Sequence, residues 1–108
     1  MAYDERLAAR IRSILADRAD VREQKMFGGI AFMISDRMGV GIVGDDLMVR
    51  VGREGYDDAL ARPHTRPMDF TGRPSKGMVY VDPRGTAKDA DLRDWVGIGA
   101  AYATSLAD

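Results

Sequence analysis

Four cations, Lys25, Arg66, Arg73 and Lys76, are the residues of this chain whose types and spacing best suit a chemistry, and that chemistry is anion binding. An Arg side chain offers a planar fork that meets carboxylate or phosphate with two hydrogen bonds. Glycines stand beside these cations at Gly28, Gly29, Gly72 and Gly77, and a residue without Cβ lets backbone come close to a ligand. If the strand that begins at Val21 lies beside the loop 62–77, then Lys25, Gly28, Gly29, Arg66, Arg73 and Lys76 form a candidate anion or partner site. The competing reading is that Asp69 and nearby acids neutralise the arginines as surface pairs, which contribute little.

Other constellations are weaker. The pair Gly28-Gly29 follows no phosphate-loop pattern, and Gly72-x-x-x-Lys76-Gly77 lacks both the P-loop spacing and the helix that must follow it. His64 is the only histidine. A metal ligand or general base needs partners, so a hydrogen-bonded structural role in its loop is expected. Ser75, His64 and Asp69 spell a triad on paper, but one short loop with no nucleophile elbow cannot hold that geometry. No catalytic residue, cofactor site or metal site is therefore assigned. Met26, Met33, Met38, Met48, Met68 and Met78 suit either core filling or an adaptable partner-binding face.

Composition narrows the class of function. The chain has 108 residues, a length that fits one domain over 1–108 with a core that needs no metal or disulfide. Its net charge is −1, with 13 Arg and 3 Lys among the cations. Direct nucleic-acid binding and attraction to an anionic membrane are thus not expected. The absence of cysteine removes disulfides, thiolate metal sites and Cys nucleophiles. The N-terminus has no apolar stretch behind basic residues, and no apolar run approaches the length of a membrane span. A cytoplasmic location follows by elimination.

The elements that must position these residues read as follows. Asp4 is a suitable N-cap for a helix whose buried stripe is Leu7, Ile11, Ile14 and Leu15 and which ends near Arg18 to Asp20. Val21 to Met26 reads as an edge strand, and Ile30 to Ile34 as a central one. Met38, Val40 and Ile42 share one face of the next strand, with Gly39 and Gly41 bare on the other. Leu47, Val49 and Val51 alternate inward, with Met48 and Arg50 outward. Connections this short make residues 21–51 an antiparallel meander of four strands. A helix over 53–61 ends before Pro63. Residues 62–77 form a loop with extended pieces, 78–81 a strand, and Asp82-Pro83-Arg84-Gly85 a turn. Asp89 caps a last helix with Leu92, Trp95, Val96, Gly99, Ala103 and Leu106 on its buried side. The expected class is α+β, a single antiparallel sheet (the meander plus one or two further strands) with the N- and C-terminal helices on one face.

Two stretches, Lys25-Met26-Phe27-Gly28-Gly29-Ile30-Ala31-Phe32-Met33 and Arg66-Pro67-Met68-Asp69-Phe70-Thr71-Gly72-Arg73-Pro74-x-Lys76-Gly77-Met78-Val79-Tyr80-Val81, resemble the N-terminal domain of the TfoX/Sxy family of bacterial competence regulators. Asp46-Leu47-Met48-Val49-Arg50-Val51-Gly52 and Leu92-x-x-Trp95-Val96 fit in order and spacing. The resemblance implies an α+β domain with an antiparallel sheet and no catalytic set. Members of the family act on natural-transformation genes together with the cyclic-AMP receptor protein, so it also implies contact with transcription machinery. The family's regulators carry a second, helical domain, and this chain reads as a stand-alone version. The expected role is a regulatory or protein-interaction module, a homodimer through sheet or helix contacts. The alternative is small-anion or metabolite binding at Lys25, Arg66, Arg73 and Lys76.

Overall fold

The computed structural model of the chain describes residues 3–26, 28–68 and 76–106. In order, the elements are α1 (Glu5–Ile14), β1 (Val21–Met26), β2 (Gly29–Ile34), β3 (Arg37–Val43), β4 (Asp46–Arg50), α2 (Gly52–Leu60), β5 (Thr65–Pro67), β6 (Met78–Val81), α3 (Pro83–Thr86) and α4 (Asp89–Leu106). The strands form one antiparallel sheet in the order β1-β2-β3-β4-β6-β5. The expected α+β class and the meander of β1 to β4 are what the structure shows, with both β6 and β5 added beyond β4.

All the helices among the described residues sit on one side of this sheet. Leu7, Ile11 and Leu15 of the α1 region, Ala59 of α2, and Leu92, Trp95, Val96, Ala100 and Ala103 of α4 share one core with Ile30, Phe32, Ile34, Val40, Ile42, Leu47, Val49, Val79 and Val81 of the strands. Removing Phe32, fully buried at the middle of β2, costs roughly 3–5 kcal/mol by analogy with other large-to-small core changes.

Asp4 caps α1 as expected, its Oδ1 accepting from the backbone N–H of Arg6 at 2.9 Å and of Leu7 at 3.1 Å. The helix ends at Ile14, four residues before the expected limit. Beyond Leu15 the chain tightens into i→i+3 turns, with Arg18 N–H on the Leu15 carbonyl, and this delivers Val21 to the sheet. Asp82 starts a short helix, α3, where a simple turn was expected. Asp89 lies inside the first turn of α4 and accepts from Arg10 Nη2 at 3.0 Å, which ties α1 to α4.

β3 departs most from its pattern. Val40 pairs with Phe32, but Met38 pairs with Met33, so Gly39 is an extra residue in a bulge. One extra residue reverses the alternation. Met38 therefore faces away from Val40 and Ile42, and Gly39 lies under α4. A Cβ on Gly99 would stand 2.4 Å from the Gly39 carbonyl oxygen and 2.7 Å from Val40 Cγ1. The helix thus rests on the strand backbone to backbone.

The two edges of the sheet are unlike. β1 runs six residues and carries Arg22, Glu23, Gln24 and Lys25, whereas β5 runs three and ends in Pro67, which has no backbone donor. Arg12 of α1 grips Glu23 of β1 with two bonds, Nε–Oε2 at 2.7 Å and Nη2–Oε1 at 2.8 Å. This Arg12 contact holds the Glu23 carboxyl below its ordinary pKa.

Two expectations follow. Gly99→Ala should destabilise by about 1–3 kcal/mol through overpacking. Gly97→Ala, at an exposed helical site with nothing within 4 Å of the new Cβ, should stabilise by about 0.5–1 kcal/mol. Urea unfolding of the two variants measures both. The second concerns acid. A lowered folded pKa means that the Glu23 contribution is present above the unfolded value and lost as pH falls through the folded one. The cost of Glu23→Gln, up to about 1 kcal/mol near neutrality for an exposed pair, should therefore shrink as pH drops below about 4. Urea midpoints of both proteins between neutral and acid pH read it out.

Candidate functional site

The cations singled out in the sequence are not gathered. Lys25 lies on β1 and Arg66 on β5, the two opposite edges of the sheet. Five inter-strand steps put those edges roughly 24 Å apart. They also occupy opposite faces. Lys25 pairs with Ile30 on the helix side, whereas Arg66 pairs with Tyr80 on the other. Lys76 precedes β6 at the strand ends marked by the Arg50–Met78 pair, and Gly28 and Gly29 lie at the other end, beside Ile42 and Val43. Arg73 falls outside the described residues. The expectation that the strand from Val21 lies beside loop 62–77 is thus corrected: β2, β3, β4 and β6 stand between them.

Arg66 is also occupied. Its Nη2 donates to the Asp46 carboxylate, and its guanidinium carbon stands 4.7 Å from the centre of the Tyr80 ring. The Asp46 hydrogen bond pushes the Arg66 pKa up. The neutralising acid is Asp46, twenty residues away in sequence; Asp69 lies outside the described residues.

The glycine pair has two separate structural causes. Gly28 takes a φ of 74° at the β1–β2 turn, a backbone region that side chains rarely enter. A Cβ on Gly29 would meet the Ile42 carbonyl oxygen of β3 at 1.9 Å. Both requirements are met without a ligand. His64 has a φ of 66°, and its Nδ1 is 3.9 Å from Asp82 Oδ1. The other two members of the paper triad, Asp69 and Ser75, fall outside the described residues.

What the fold does gather is methionine. Cross-strand partners share a face. Met26 pairs with Gly29, Met33 with Met38, and Met48 with Tyr80. Met78 and Met68 pack with Met48 and Tyr80 in a second apolar cluster. The chain has seven methionines, and the six among the described residues lie on the side of the sheet away from the helices. Met48, expected to point outward, does leave the main core but is fully buried in this second cluster. Gly41 leaves room for it: a Cβ there would lie 2.7 Å from Met48 Cε. Met48 and Met68 are buried, and Met26, Met33, Met38 and Met78 are half-exposed. The bulge at Gly39 hid this arrangement from the sequence, because simple alternation along β3 assigns Met38 to the core.

Among the described residues, no group of three or more His, Asp or Glu side chains is placed to hold a metal ion. No helix there is long and apolar enough to cross a membrane. The chain has no match among curated proteins and none among solved structures. The sequence pattern of the TfoX N-terminal domain matches residues 13–103. That span runs from the last turn of α1 to the last turn of α4 and takes in every strand of the sheet. The chain therefore belongs to the TfoX N-terminal domain family.

Proposed function

We propose that this protein is a regulatory module related to the competence regulators, acting in the cytoplasm by protein contact. Its contact surface is the methionine-bearing face of the sheet. The supporting observation is the collection of Met26, Met33, Met38, Met48, Met68 and Met78 on the side that no helix among the described residues occupies. Methionine is unbranched and polarisable, so a surface rich in it adapts to partners of differing shape. Family membership supports the regulatory half of the reading. A second copy is the first partner to test, since an isologous dimer brings one patch against itself.

Met33→Gln with Met38→Gln is the informative variant. These two residues are half-exposed direct cross-strand partners, and Gln keeps the length of Met while making the surface polar. Sedimentation should show the wild type associating, and the variant weakened at least about tenfold, or 1.4 kcal/mol. Its thermal midpoint should stay close to that of the wild type. In cells, replacement by this variant should reproduce the transcript changes caused by deleting the gene. A wild type that stays monomeric removes the dimer. A variant that fully complements the deletion removes the contact face.

A further inference from the structure

Away from the methionine face, three segments meet around the indole of Trp95. They are the loop after α2, the short helix α3 and the first turns of α4. Between them lies a cleft of about 350 Å³, lined by Arg62, His64, Arg84, Lys88, Asp91 and Trp95 among others. Its charge runs against that of the protein. The chain as a whole carries −1, but the cleft lining holds three cations and one carboxylate, with Asp94 paired to Arg62 and Asp82 3.9 Å from His64 Nδ1 beside it. An excess of one sign in a cleft concentrates ions of the opposite sign, and here the excess rests on Arg84 and Lys88.

The cations differ in their state. Arg62 is fixed: its guanidinium carbon stands 3.9 Å from the centre of the Trp95 ring, and its Nη2 is 2.8 Å from Asp94 Oδ2. Trp95 is itself 2 % exposed, so the cation lies on a rigid floor. The pair with Asp94 leaves other N–H groups of the fork for a ligand. Arg84 and Lys88 are exposed and have no ion pair among the described residues.

His64 completes the rim from a backbone position that is uncommon outside glycine. Its left-handed φ of 66° is held by the Asp82 N–H, which donates to the His64 carbonyl at 2.9 Å. Gly85 is pressed against the same residue, where a Cβ would come within 3.2 Å of His64 Cβ and 2.4 Å of Val81 Cγ1. Backbone held in a sparsely populated region by its surroundings is a recurrent feature of ligand sites.

We infer that this cleft binds a phosphoryl dianion, either free phosphate or the phosphate of a small monoester, through Arg62, Arg84, Lys88 and His64. A phosphoryl group offers three acceptor oxygens and close to two charges at neutral pH, which suits several cations around a concave space better than one carboxylate would. The volume falls within the range of about 300–1,000 Å³ usual for small-molecule sites, so room remains for a compact organic part. This site shares no residue with the methionine face, and the two readings stand or fall separately.

Trp95 is the only tryptophan, so its indole N–H resonance is a single reporter placed at the cleft. Inorganic phosphate, ribose 5-phosphate and ribose should each be titrated at constant ionic strength, with potassium chloride as the control. A saturable shift of the indole signal by the two phosphates, with none from ribose or chloride, is the expected result. Tighter binding of ribose 5-phosphate identifies an ester as the ligand, and equal binding identifies free phosphate. Arg84→Ala with Lys88→Ala, both at exposed positions, should weaken binding about tenfold or more, with the thermal midpoint preserved. Lys25→Ala should leave it unchanged. The inference is overturned if no saturable response appears up to about 10 mM, if chloride reproduces it, or if the double variant binds as the wild type does.

Discussion

The structure depends on one close approach, that of α4 to β3 at Gly99 and Gly39. With a Cβ of Gly99 excluded by the Gly39 carbonyl oxygen, helix and strand meet at main-chain distance, which only glycine permits. This contact sets the height of α4 over the middle of the sheet. Trp95 then lies one helical turn away, within the core and beneath Arg62. α1 packs against α4, and Arg10 joins them through Asp89. The apolar layer formed by β2, β3, β4 and β6 is closed by these helices. Gly99 matters more to the fold than its size suggests, because it sets where the larger residues stand.

The same place in β3 separates the two faces. Because Gly39 is an extra residue, the strand presents Val40 and Ile42 to the helices and Met38 to the opposite side. The helix side is filled mainly by branched aliphatic and aromatic residues, which have few rotamers and pack in one way. The other side collects flexible thioethers over Gly41 and Ala31. Sequence types so different on two faces of one sheet give one rigid face and one deformable face.

Much of this was legible beforehand, and the remainder was not for identifiable reasons. The stripe in α1, the apolar run Ile30 to Ile34 and the alternation in β4 are local signals of burial, and each marks its element. Strand order is not local. Nothing in residues 62–67 announces that β5 pairs outside β6 at the edge far from β1, so Lys25 and Arg66 could be imagined as neighbours. A bulge is equally silent, since Met38, Val40 and Ile42 alternate as a regular strand would. The cleft around Trp95 is built from three separated segments and from a left-handed His64, and only the tertiary contacts of Gly85 and Asp82 bring them together. The partner of Arg66 proved to be Asp46 for the same reason: proximity in the sheet replaced proximity in the chain.

The unequal edges of the sheet set a valence. β5 is short and ends in proline, so it offers little backbone for another strand to join. β1 is twice as long and has a proline nowhere along it. Of the two edges, β1 therefore offers the longer run of backbone, guarded by the charges of Arg22, Glu23 and Lys25. Two copies that join through β1 consume both open edges and leave only the proline-ended strands outside. Pairing of this kind closes on itself at two copies.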